Sequence, residues 1–84
     1  MATMYTIEEL RNLVTEIRDR HAKQDNQAPV DPDAVWLEFQ PIFARTAPSD
    51  LQLVDDAFEH IELIRGLRSA GEAPAWPAAF SKRR

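Results

Sequence analysis

Eighty-four residues, 44% hydrophobic and 29% charged, make one small domain with a modest core and exclude a chain disordered through most of its length. No cysteine is present, which excludes disulfides, thiolate nucleophiles and cysteine metal sites. A net charge of −4 argues against non-specific attraction to nucleic acid or to an anionic membrane.

The opening MATMYTIEEL has neither a basic start nor an apolar run. No stretch approaches the roughly 18 consecutive apolar residues of a spanning helix, so a soluble, cytoplasmic protein is expected. In YTIEEL, Thr6 and Glu9 have the spacing of a capping box, with Tyr5 and Leu10 at the positions of the hydrophobic staple. Ile7, Leu10, Leu13, Val14 and Ile17 then follow a 3.6-residue period. The pairs Glu16–Arg20 and Asp19–Lys23 have the favoured i,i+4 orientation. This predicts a first helix over about 7–24.

QDNQAPVD reads as a loop whose Asp31 caps the second helix, with Pro32 in the first helical turn, where its missing N–H costs nothing. Val35, Trp36, Phe39, Ile42 and Phe43 share one face of a helix over 32–46. Pro41 cannot donate to the Leu37 carbonyl, so the helix is expected to kink, or to split in two, near residue 40. The apolar pattern continuing beyond Pro41 favours the kink.

PSDLQL supplies a third start, with Ser49 as N-cap, Gln52 as its capping-box partner, and Pro48 and Leu53 as a staple. The helix is expected over 50–70, stopping at Gly71. Leu51, Val54, Ala57, Phe58 and Ile61 form its core face, and Leu53, Ile64 and Leu67 widen the apolar arc to roughly half the circumference. Gly66 falls inside this helix at a cost of about 1 kcal/mol relative to alanine. The fold class is thus all-α: a small three-helix bundle over 1–71, followed by an extended, proline-rich tail over 72–84 packed on the third helix.

In the tail, GEAPAWPAAFSKRR, Pro74 and Pro77 forbid a continuing helix, and an extended path lets Trp76 and Phe80 lie across the surplus apolar surface of the third helix. The pair either clasps the core or anchors a partner protein, since Trp is enriched at binding hot spots. The clasp is preferred, with a partner site beside it. Arg65 and Arg68 are placed to snorkel at the helix edge, to meet its C-terminal dipole, or to stack on Trp76 or Phe80.

Gln52, Asp55, Asp56, Glu59 and Glu62 cluster on the far side of the third helix, uninterrupted by lysine or arginine, and Leu63 stands among them. Carboxylates that steer a basic partner, beside a leucine that contributes buried area, are the pattern of a docking spot. The candidate partner-binding residues are therefore Asp55, Asp56, Glu59, Glu62, Leu63, Trp76 and Phe80. His21 and His60 each have a carboxylate one turn away, Asp25 and Asp56, but no metal-ligand motif accompanies them. Asp55 and Asp56 point about 100° apart, which is poor geometry for shared proton chemistry. No Gly-rich phosphate loop exists, and no enzyme, metal, cofactor, membrane or small-molecule role is expected.

Two readings remain. One is a small acidic inhibitor, adaptor or regulator that binds a larger protein or a second copy of itself. The other is a helix-turn-helix regulator formed by FARTAPSDLQLVDD, disfavoured because no basic residue occurs from 47 to 64. YTIEELRNLVTEI, the acidic balance and the closing helix–Gly–Pro–aromatic order resemble the small nuclease-inhibiting immunity proteins of bacteria. The resemblance covers only the ends of the chain. The Tyr-Tyr-Pro element of that family is absent, so no residue role is carried over.

Overall fold

In a computed structural model describing residues 3–23, 31, 33–67, 71 and 73–81, the capping box at Thr6 forms as its spacing predicts. The Thr6 N–H donates to Glu9 Oε1 at 2.8 Å and the Glu9 N–H to Thr6 Oγ1 at 3.1 Å, satisfying two donors that the first turn leaves unpaired. Helix α1 follows over Ile7–Lys23 and buries Leu10, Val14, Ile17 and His21. Ile7, at the edge of the predicted stripe, stays 38% exposed.

Asp31 ties down the turn ahead of the second helix, its Oδ1 accepting the Asp33 N–H at 2.9 Å and its carbonyl the Ala34 N–H at 2.9 Å, but the N-cap position falls to Asp33, whose side chain makes no cap bond. The role expected of Pro32 lies outside the described residues, as do Asp25 and Arg68. Helix α2 spans Ala34–Ala44 and runs through Pro41 as one element, so it does not split. Leu37, Gln40, Pro41 and Ala44 all lie on its open side and are exposed. The carbonyl deprived of a donor by Pro41 therefore sits where water can satisfy it.

The second capping box does not form. Pro48–Asp50 make a 3-10 turn, closed by the Asp50 N–H on the Ala47 carbonyl at 2.8 Å, and this turn runs directly into helix α3, Leu51–Ile64. Ser49 lies inside the turn and caps nothing, while the Gln52 amide donates to Asp56 Oδ1 at 2.8 Å. At the other end α3 stops well short of Gly71. Gly66, with φ +78°, takes the left-handed position after the helix; its N–H bonds the Leu63 carbonyl at 3.0 Å and the Leu67 N–H bonds the Glu62 carbonyl at 2.8 Å. These two bonds define a Schellman motif, which satisfies carbonyls that the last turn would otherwise orphan.

The three helices meet in one core: Leu10, Val14 and Ile17 from α1, Val35, Phe39 and Ile42 from α2, and Val54, Ala57 and Ile61 from α3. Helix α3 packs on both of the others. No strand occurs among the described residues. A second tie joins α1 to α2 at the core's margin, where His21, 4% exposed, holds Glu38 Oε2 from Nε2 at 2.7 Å. Arg20 reaches the other oxygen of Glu38 at 2.7 Å instead of pairing along its own helix with Glu16, and Asp19 meets Arg18 at 3.3 Å.

The tail completes the core. Pro77 takes φ −59° and ψ 133°, the polyproline values expected of an extended path, and a short 3-10 turn follows over Ala78–Phe80. Phe80 is 1% exposed and joins the core cluster. Its turn rests chiefly on α1, a correction to the expected packing on the third helix. Trp76 bridges both, with the Arg18 guanidinium 4.6 Å from its ring centre on one side and His60 of α3 at 5.5 Å on the other. The His60 Nδ1–H donates to the Pro74 carbonyl at 3.2 Å.

Candidate functional site

Helix geometry distributes α3 into four sectors. Val54, Ala57 and Ile61 face the core; His60 turns toward the tail; Phe58 turns toward α2. The remaining sector faces outward and holds the predicted partner residues. Asp55, Asp56, Glu59 and Glu62 are all half-exposed there. Asp55 and Asp56 diverge, but Glu59 lies four residues from one and three from the other, so it stands between them. One carboxylate oxygen from each of the three lies within 4.8 Å of the others. Three carboxylates at that spacing make a concentrated negative field; exposed acidic groups of this kind are common without an ion, and nothing beside them marks a metal site.

Leu63 is half-buried and outside the core cluster, on the same outward sector. Gly66 is exposed, and a Cβ built on it would meet nothing within 4 Å. Trp76 and Phe80, the other two predicted contact residues, are not brought to this surface. Phe80 is inside, and Trp76 is sandwiched between α1 and α3. Its Nε1 is buried without a hydrogen-bond partner, a cost normally of about 1–3 kcal/mol that its packing must offset. The cation on the Trp76 ring is Arg18; of the two arginines for which stacking is one option, Arg68 lies outside the described residues. Arg65, the residue that follows α3, is buried at 7% exposure.

Two residues depart from their expected places in the core, and one is Leu51, assigned to the core face of the third helix but 40% exposed. Trp36, assigned by its period to the buried face of the second helix, is 41% exposed. It stands at the open edge of an aromatic group on the α2–α3 seam, 5.6 Å from Phe43 and 5.9 Å from Phe58, edge-on to the latter. On α3, Phe58 is three residues from Asp55 and four from Glu62, and equally close in spacing to the buried Val54 and Ile61. The position of Trp36 at the margin of the apolar stripe, about 60° from Phe39 on a helical wheel, is the signal that marks it as an edge residue. Leu37 is 59% exposed on the next face of α2.

A groove of about 550 Å³ runs along the far side of α1 beside Phe80. Arg11, Arg18, Arg20 and Lys23 line it with Glu16 and Asp19, so cations outnumber carboxylates four to two, with Arg20 engaged by Glu38 and Arg18 by Asp19 and the Trp76 ring. Among the described residues no helix is long and apolar enough to cross a membrane. Compared with protein-family models, with curated proteins and with solved structures, the chain gives no significant match.

Proposed function

We propose that this protein is a small helical binding module that docks on a larger, basic-surfaced protein as an inhibitor, adaptor or regulator, and that it acts by contact, without chemistry of its own. The observation that carries the reading is the outward sector of α3, where Asp55, Asp56 and Glu59 hold carboxylate oxygens within 4.8 Å of one another and Leu63 lies alongside. Such a field steers a cationic partner into encounter, and a neighbouring apolar side chain contributes area once the partner is seated. The same charges repel phosphate backbones and so weigh against a nucleic-acid role. A chain without cysteine suits a reducing compartment such as the cytoplasm.

Affinity capture tests this. The unaltered protein should retain a basic-surfaced protein from the cells that produce it, and Asp55→Lys combined with Glu59→Lys should lose it. With the captured protein in hand, the double reversal should slow association about tenfold or more and flatten its salt dependence, while the thermal melt stays nearly unchanged. Capture of the same proteins by both forms would return the sector to an ordinary solvated surface.

A further inference from the structure

The geometry points to the outer face of α2 as a dimer interface, on which a second copy of this chain docks with its own α2 running antiparallel. Helix α2 is apolar on nearly every side, and Glu38, the one charged residue among its 11, is held toward α1 by His21 and Arg20. Trp36, Leu37, Gln40, Pro41 and Ala44 are all exposed. Each lies three or four residues from another, so they form one continuous surface without a charge. A single exposed leucine is ordinary, but a helix apolar all round is normally covered all round. Here α3 flanks one side of α2 and the tie to α1 another, and the outer face is open.

Size and charge both favour a second copy as the occupant. A standard interface takes about a tenth of a small protein's surface, here about 560 Å² of 5594 Å². With Trp36 at 41% and Leu37 at 59% exposure, the five side chains present about 400 Å², in the range of patches that mark contact sites. Met4, 49% exposed, prolongs this surface, because its neighbours Thr3 and Tyr5 are both bonded to Arg45 at the end of the helix. The ends of α2 carry opposite charge, with Asp31 and Asp33 before it and Arg45 after it. A two-fold axis across the face brings the acidic end of each copy to the basic end of the other and opposes the two helix dipoles. A parallel pair would set carboxylates against carboxylates. A charged partner would have to give up water for a face that offers it no counter-ion. No residue of the acidic sector of α3 takes part, so the dimer stands or falls independently of the proposed function.

Sedimentation equilibrium on the unaltered protein tests this from about 1 µM to about 1 mM, the window in which small interfaces assemble. The mean mass should rise from one chain toward two. In a Trp76→Phe background, Trp36 should lose access to a soluble quencher over the same range. Leu37→Glu puts a carboxylate into the buried face and should raise the dissociation constant about tenfold or more, with the melt of the dilute protein nearly unchanged. Gln40→Glu, which hardly alters shape, should act in the same direction. Asp33→Asn should weaken the dimer about twofold or more, the range of exposed ion pairs, whereas it would tighten a parallel one. Asp55→Lys with Glu59→Lys should leave the dimer intact. A one-chain mass throughout would overturn the dimer, and loss of a captured protein by Leu37→Glu would then assign the face to a different partner. A dimer indifferent to Leu37→Glu and Gln40→Glu would overturn the interface, and one tightened by Asp33→Asn would overturn the antiparallel pairing.

Discussion

The guanidinium of Arg45 lies 4.2 Å from the centre of the Tyr5 ring, donates from Nε to the Thr3 carbonyl at 2.8 Å, and reaches the Tyr5 hydroxyl from Nη1 at 3.2 Å. Its own backbone carbonyl accepts the Tyr5 N–H at 2.8 Å. One side chain just past the end of α2 thus fixes the segment that leads into α1, and it places Tyr5 against the core near Leu10, where the hydrophobic staple requires it. Two hydrogen bonds and a stacked cation, discounted for partial exposure, are together worth about 1–2 kcal/mol. Arg45→Ala should lower the unfolding free energy by that amount and speed hydrogen exchange at the Tyr5 amide. Arg45→Lys should recover less than half, because an ammonium cannot form the fork or the flat stack. Stability within a few tenths of a kcal/mol of the parent for both variants would show that the N-terminal segment is held by other contacts. The Thr6 capping box is legible in the sequence because its partners are three residues apart. Arg45 and Tyr5 are separated by 40 residues, and no local pattern announces such a pair.

At the scale of elements, the end of α3 separates two meanings of one glycine. The apolar period runs without a break through Ile61, Ile64 and Leu67, so periodicity extends the helix to Gly71. In a Schellman motif, however, the residue after the glycine turns back onto the last helical turn, and an apolar residue there reproduces the helical period. Leu67 does this, packing against the core from a position the helix has already left. Spacing alone therefore cannot distinguish a helix that passes through Gly66 from one that ends at it. A substitution can, because the two predict opposite signs. For a mid-helix glycine, Gly66→Ala stabilises by about 1 kcal/mol. At φ +78° with nothing within 4 Å of the added Cβ, the penalty is one of backbone conformation alone, and Gly66→Ala should destabilise by about 1–2 kcal/mol. Urea denaturation reads the sign directly. The start of α3 eludes spacing for a related reason: Ser49 and Gln52 sit three residues apart, but Pro48 presets the φ of a 3-10 turn that absorbs the leading donors first. Trp36 shows the same limit at the site, since periodicity says which face a residue shares and not how far the neighbouring helix covers it.

For the whole molecule, the decisive feature is that a core of nine helical side chains is closed by a tenth from outside the bundle. Without Phe80 the seam of α1 beside the tail would open, because the terminal turn covers that side and Trp76 spans the gap to α3. A domain of this size has a total stability of about 5–15 kcal/mol, so one fully buried aromatic is a large fraction of it. Phe80→Ala removes the ring and leaves a cavity, which costs about 3–5 kcal/mol. At about 4–8 °C per kcal/mol the melting temperature should fall by about 12 °C or more. Trp76→Phe keeps an aromatic ring, deletes an N–H that has no partner, and should cost far less, within about 1 kcal/mol. The order of the two variants is what tests the arrangement. A tail that merely awaits a partner would leave both melts close to that of the parent, and its aromatics would then matter only in capture. A tail built into the core makes Phe80 a folding residue, melting steeply with its ring.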